Sequence, residues 1–221
     1  MTLLNKLQNF YPTTEIELTN KIFPDLAESF LYGGYISVSD YRGKERYRIY
    51  LRTVEFYCHP ESDNLNLPKD PIVYHRNGRY LDGDVPYFPL MAFHAHASGY
   101  DIAFENEDLK LRSSVLIRAY EIYDLQNKKF LFYSREYKKF MECSDVKERV
   151  NTQSTYLYNF LNGFIGDSIR WIDDIRPMGD DMSERIKISK RRNVFLYDGE
   201  KKTTKKDERP WSFTRTKDLP F

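Results

Sequence analysis

Cysteine is scarce: Cys58 and Cys143 are the only two among 221 residues, too few for a disulfide scaffold and without a paired C-x-x-C. Long apolar runs are missing as well. Nothing approaches the ~20 consecutive apolar residues a membrane-spanning helix needs, and the opening MTLLNKLQNFYPTTEIE has too short an apolar run for a signal peptide. A soluble, intracellular, cytoplasmic protein is the expectation. No charge sign dominates: 34 Lys and Arg face 33 Asp and Glu, for a net charge of +1, so global charge does not announce a nucleic-acid binder. Coiled-coil heptads and internal repeats are also lacking. The glycine-containing runs YGGY (32–35), NGRYLDGD (77–84) and NGFIGD (162–167) lack Walker or dinucleotide spacing and read as turns.

Apolar mass, by contrast, is ample. Hydrophobic residues make up 41% and aromatic ones 16% of the chain, enough for one substantial core and against intrinsic disorder. Residues 13–31 place Ile16, Leu18, Ile22, Phe23, Leu26 and Phe30 at mostly helical spacing, with Thr13 or Thr14 as N-cap and Pro24 expected to kink or divide the segment. The stretches YISVSD and RYRIYLRTVEFY alternate apolar and polar residues, which predicts two antiparallel strands joined by a turn over 40–45. From Cys58 to Pro89 turn formers dominate, predicting a long loop after the second strand. Strand character returns at 91–104 and 114–123, the latter apolar enough for a central strand, and together these suggest a mixed sheet. Helices are predicted over 134–150 and 152–174, strands over 185–198 and WSFTRT, and an exposed connection over EKKTTKKDERP.

Charge is unevenly distributed. Residues 185–217 hold twelve Lys and Arg against four Asp and Glu, leaving a net −7 on the remainder. A basic element on a mildly acidic body is compatible with phosphate contacts, and equally with a solvated connection between surface strands.

The string RTVEFY (52–57), then His75, then SGYDIAFENEDLKLRSSVLIRAYEI (98–122) resembles the alkyladenine, or 3-methyladenine, DNA glycosylase family. The family pattern has a strand ending Glu-x-Tyr, a loop His, a strand containing Tyr-Gly and a later Val-Leu-Leu-Arg-Ala; the counterparts are Glu55 and Tyr57, His75, Ser98-Gly99, and Val115 to Ala119. EIELTNKIFPDLAESFL is similar to the family's opening helix, and ERIKIS and ERPWSF to its closing strands. The resemblance implies an α+β fold: a single domain over 1–221 with a curved, mostly antiparallel sheet flanked by helices.

It also implies chemistry. Glu55 would activate water to hydrolyse an N-glycosidic bond, a task that suits a carboxylate able to take the water's proton and stabilise positive charge on the sugar. Arg118 matches the arginine that helps place this water, and the carbonyl of Ile186 falls at the water-holding position. Tyr57 and His75 would be aromatic walls around a flipped-out, positively charged base. The duplex would be met by Ser98, Gly99 and Glu105, with Arg191 and Arg192 on phosphates. The partner is then double-stranded DNA containing an alkylated base, with no membrane, no metal and no cofactor. Because no lysine nucleophile is required, the expected reaction leaves an abasic site without strand cleavage. Two positions depart from the pattern: Ser98 replaces the tyrosine that fills the gap left by the extruded nucleotide, and Glu105 matches an asparagine that excludes guanine.

Other readings of the same residues stand beside this one. Glu55 paired with Arg118 or Arg52 is a plain salt bridge, and Tyr57 one of 18 tyrosines packed in a sheet. His94 and His96 share one strand face and flank the position of another pocket aromatic, Ala95; they could line the base, or form half of a metal site with Cys58 and His59. A noncatalytic nucleic-acid- or ligand-binding protein on the same scaffold is the competing reading, and a metal-dependent enzyme the third.

Overall fold

The computed structural model describes residues 1–63, 65–70, 73, 86–96, 99–145, 148–164, 168–174, 182–198 and 201–219. The chain opens with helix α1 (Leu3–Gln8), a short helix α2 (Glu15–Glu17), a π-helical turn (Leu18–Ile22) and helix α3 (Phe23–Tyr32). Thr14 caps this run: its hydroxyl accepts from the Glu17 amide at 3.1 Å, while the Glu17 carboxylate accepts from the Thr13 amide at 3.0 Å. Pro24 sits in the first turn of α3, where a missing N–H costs nothing, and the π turn before it absorbs the break.

The strands are β1 (Gly34–Ser39), β2 (Glu45–Pro60), β3 (Phe93–His96), β4 (Gly99–Ala103), β5 (Leu111–Asp124), β6 (Lys129–Ser134) and β7 (Lys139–Cys143). After helix α4 (Ser154–Leu161) come β8 (Ile169–Asp173), the short helix α5 (Met182–Arg185), β9 (Ile186–Ser189), β10 (Phe195–Asp198), β11 (Lys201–Lys206) and β12 (Ser212–Arg215). Ten strands form one sheet, six along the path β3-β4-β5-β2-β1-β8 and β6, β7, β9 and β12 branching from it, and β10 pairs with β11 as a separate ribbon. The protein is α+β with a large antiparallel sheet.

The two longest strands organise everything else. One edge of β2 faces β5 throughout; its other edge is divided between β1, opposite 45–49, and β12, opposite 53–55. β5 divides its outer edge in the same way between β4 and β6. At this branch point the β2–β5 register slips twice, passing over Arg52 on β2 and Arg118 on β5. A bulge of this kind re-aims the extra side chain. One face of the strands packs on α3 through an aromatic core in which Phe23 stacks on Phe56 at 4.6 Å and meets the edge of Trp211 at 5.0 Å. The opposite face carries a smaller apolar cluster, Tyr57, Val73, Ala103, Leu116 and Val194.

Several expectations require correction. The sheet is antiparallel in every named strand pairing, not mixed. Residues 134–150 do not form a helix: β6 and β7 make a hairpin, because Tyr133 and its cross-strand partner Phe140 pack on rings of α4, Tyr133 stacking on Tyr156 at 3.7 Å and Phe140 meeting Phe160 at 5.0 Å. The predicted 152–174 helix stops at Asn162 before Gly163, and Ile169–Asp173 instead pairs residue by residue with β1. Gly34 permits that pairing, since a Cβ there would lie 2.3 Å from the Ile172 carbonyl oxygen. Residues 201–206 are a strand rather than a connection, and β2 continues to Pro60. No described helix is long and apolar enough to cross a membrane.

Candidate active site

Side chains two apart on a strand share a face, so β2 turns Glu55 and Tyr57 together toward the smaller cluster. Register then extends this face across the sheet: His94, Asp101, Leu116, Glu55, Ser212 and Ser189 are successive antiparallel partners on β3, β4, β5, β2, β12 and β9. His94 and Glu55, three strand spacings apart, are thus separated by roughly 14 Å, with Asp101 and Leu116 forming the floor between them.

Glu55 is enclosed, its side chain 1% exposed. Three donors address its carboxylate. Arg118, aimed by its bulge, donates from Nε to Oε2 at 2.7 Å. The Tyr57 hydroxyl donates to the same oxygen at 3.2 Å, and the Arg192 amide donates to Oε1 at 3.0 Å. A carboxylate offers about four lone-pair positions; one on Oε1 is left over. Arg118 also reaches the Arg192 carbonyl at 3.3 Å, so the backbone of a single residue braces both partners. Burial opposes the charge of Arg118, but Glu55 more than offsets this and raises its pKa above the ordinary guanidinium value. Burial, reinforced by Glu55, pushes the Tyr57 phenol far above its usual range and keeps it a neutral donor. Arg118 remains 23% exposed and is where the pair meets solvent.

Beneath this pair lies a second ionic group. Arg191 donates to Asp70 at 2.6 Å and to Asp207, with its guanidinium 4.5 Å from the centre of the Tyr57 ring and 5.1 Å from that of Trp211. Arg209 also binds Asp207, at 2.6 Å. Burial raises the Asp207 pKa, yet Arg209 and Arg191 outweigh it and hold the carboxyl down at about 2. Asp70 is fixed in turn by its own amide, which donates to His59 Nδ1 at 2.9 Å.

The structure brings Glu55, Tyr57 and Arg118 together: strand spacing predicts the first two on one face, and the resemblance adds Arg118. Other expected roles are not where the sequence placed them. Arg191 is sealed in its ion pairs and faces no phosphate, whereas Arg192 is exposed. Tyr57 is 2% exposed with Arg191 over one ring face, so it supports Glu55 and is no open aromatic wall. The Ile186 carbonyl is displaced: β9 pairs Ile186 with Arg215 and sets Ser189 level with Glu55, roughly 10 Å further along. Arg192 takes that place beside the pair. Glu105 is also inward, accepting from the Phe88 amide at 2.5 Å and from Arg112 at 3.1 Å. Gly99, at φ 153°, is buried under α4, where a Cβ would lie 2.2 Å from the Ser154 hydroxyl. His75 and Ser98 lie outside the described residues.

His94 and His96 do project together, their rings 6.1 Å apart, with Phe88 4.7 Å from His94 and Asp101 3.2 Å from His96 Nε2. Asp101 accepts from Ser114 at 3.1 Å. Cys58 is buried, with its thiol pushed up to about 12 by burial, and His59 is committed to Asp70. Among the described residues no group of three or more His, Cys, Asp and Glu is arranged to hold a metal ion.

No family model and no curated protein matches this chain. The reading of the site therefore rests on its own geometry. The braced Glu55 keeps one acceptor position on Oε1, and the strand face beside it runs over Leu116 and Asp101 to His94. Sequence reasoning missed Asp70, Asp207 and the Arg192 backbone. No local signal marks them, because Asp70 and Arg191 are 121 residues apart.

Proposed function

We propose that this protein is a monofunctional DNA glycosylase of the alkyladenine type, removing alkylated purines from duplex DNA in base-excision repair. The observation that carries this reading is the Glu55 carboxylate, held by Arg118, Tyr57 and the Arg192 amide with one acceptor position to spare. A water seated there gives its proton to Glu55 as its oxygen bonds to C1′ of the deoxyribose. The C1′–N bond breaks, its electron pair leaves with the base, and a base that was cationic departs neutral. Arg118 fixes the angle of the carboxylate, and Tyr57 keeps its second oxygen occupied. The extruded purine lies over Leu116 toward His94 and His96, whose rings replace the aromatic wall that Tyr57 does not provide. The antiparallel α+β architecture accords with the same family.

Purified protein is expected to release methylated purine from alkylated duplex DNA, and Glu55→Gln to abolish release without unfolding the chain. Equal release by that variant rejects the role of Glu55. The enclosure of Glu55 at 1% exposure favours a second reading, a noncatalytic binder on the same scaffold. Wild-type protein that binds alkylated duplex and releases no base selects it.

A further inference from the structure

The ribbon formed by β10 and β11 concentrates lysine on one strand. In β11, KKTTKK, four of six residues are lysines, no carboxylate interrupts them, and Lys201, Lys202, Lys205 and Lys206 are all exposed. None of the four has an ion-pair partner among the described residues. The hairpin of β6 and β7 provides an internal contrast. It too carries four exposed lysines, Lys128, Lys129, Lys138 and Lys139, but mixes them with Glu136 and Glu142, and Lys129 is paired with Glu142 at 2.6 Å. The two hairpins thus arrange lysine differently: β6–β7 interleaves it with glutamate, whereas β11 itself holds no carboxylate and the ribbon's acid lies on β10, where Asp198 is the register partner of Lys201.

The feet of the ribbon are fixed to the candidate site. Leading into β10, Arg191 is locked between Asp70 and Asp207, the Arg192 amide holds Glu55, and Val194 belongs to the apolar cluster of Tyr57 and Leu116. On the return, the Asp207 amide donates to the Val194 carbonyl at 3.0 Å and closes the base. An isolated two-stranded ribbon is marginal in water, but this one is anchored at its root. Its lysines extend from the wall that supports Glu55.

We propose that the β10–β11 ribbon is the arm that grips the phosphate backbone of duplex DNA and sets the duplex against the solvent-facing side of Arg118. Charge complementarity selects the partner: four exposed lysines along one strand, beside a site for nucleotide chemistry, match a regular polyanion, and counterion release makes such contacts steeply salt-dependent. The choice of duplex DNA rests on the glycosylase reading; the gripping surface does not.

The test uses unmodified duplex, so no base release enters it. Fluorescence anisotropy of a labelled duplex is followed from ~50 to ~200 mM salt for wild type, for the ribbon variant K201Q/K202Q/K205Q/K206Q, and for the charge-matched control K128Q/K129Q/K138Q/K139Q. The ribbon variant is expected to lose about one unit of log–log salt slope per lysine and at least roughly tenfold in affinity, with the control close to wild type and circular dichroism unchanged in both. Equal losses in the two variants overturn the proposal, since net charge alone then explains binding. Wild-type binding by the ribbon variant also overturns it and leaves the lysines as protection of an exposed edge. So does binding of wild type to anionic vesicles but not to duplex. Ribbon-dependent binding without any base release rejects the glycosylase reading and retains the arm.

Discussion

Glu55 and Glu121 are two buried glutamates on neighbouring long strands, each met by an arginine from the same pair of bulges, and they are built for different ends. Glu121 is surrounded: Arg149 takes one oxygen, Arg215 the other, and Arg52 stands 4.0 Å away. Arg52 and Arg149 then share Asp218, at 2.6 and 3.0 Å. Burial holds the Arg215 guanidinium below its ordinary value, and Glu121 only partly restores it. Glu121 thus faces three arginines, and the two that bind it directly have side chains only 8% and 0% exposed. Glu55 has one arginine, one phenol and one backbone amide, keeps an acceptor position, and opens through Arg118. Overcompensated and sealed, the Glu121 cluster clamps the C-terminal strand to β5. Singly compensated and vented, the Glu55 cluster has capacity for a reactant. Burial and pairing alone do not separate a site from a clamp; the number of cations around the acid and the exposure of the one that binds it do.

Removing each acid in turn is the strongest way to break the comparison. Glu55→Gln is expected to lower base release by about 10²–10⁴-fold, the usual contribution of a positioned general base, while chemical denaturation shows a loss of about 1–3 kcal/mol from a buried donor facing donors. Glu121→Ala is expected to reverse the pattern. Leaving Arg149 and Arg215 buried without their partner costs about 3–5 kcal/mol, read as a shifted denaturation midpoint, with release per folded molecule unchanged. If both variants lose stability and activity in proportion, the two clusters are of one kind.

Gly99→Ala tests how the site is aimed. The new methyl collides with the Ser154 hydroxyl, which accepts from the Tyr100 amide at 3.2 Å and donates to the Ile117 carbonyl beside the Arg118 bulge. A loss of about 2–3 kcal/mol is expected, accompanied by a fall in release larger than the unfolded fraction explains, because the bulge orients Arg118. Adding Ser154→Gly should recover most of the stability. No recovery in the double variant would place the strain elsewhere.

The sequence makes one of the two clusters easier to read than the other. Alternation over 35–40 and 46–57 identifies β1 and β2, the apolar run over 114–123 identifies β5, and a period of two already sets Glu55 beside Tyr57. Arg118 was legible through the resemblance, although the bulge that turns it toward Glu55 is a property of paired strands. Long-range ion pairs leave no local mark: Glu121 and Arg215 are 94 residues apart, and Arg191, on a basic run that reads as a surface, is drawn inward by two aspartates. Residues 134–150 misled for the converse reason. Their charge-rich pattern suits a solvated helix, and only the rings of α4 make a hairpin the better solution.

Acid sharpens the contrast with the smallest effect. His59 accepts the Asp70 amide through Nδ1, and Asp70 in turn holds Arg191 under Tyr57. Burial lowers the imidazole from 6.5 to about 4, against an opposing pull from Asp70. Between those two values the unfolded chain binds a proton that the folded chain does not, so the stability contributed by neutral His59 is complete above 6.5 and declines as pH falls toward 4. A protonated ring carries a hydrogen on Nδ1 and turns a donor toward the Asp70 amide. Wild type is expected to lose about 2 kcal/mol over this window from this residue, and His59→Gln, which cannot titrate, to lose correspondingly less. Hydrogen exchange corrected for intrinsic rate locates the effect: protection at the Asp70 and Arg192 amides should fall before that at Glu121. An unchanged pH dependence in His59→Gln would remove this histidine from the support of the Glu55 side and assign acid sensitivity to the carboxylates of both clusters alike.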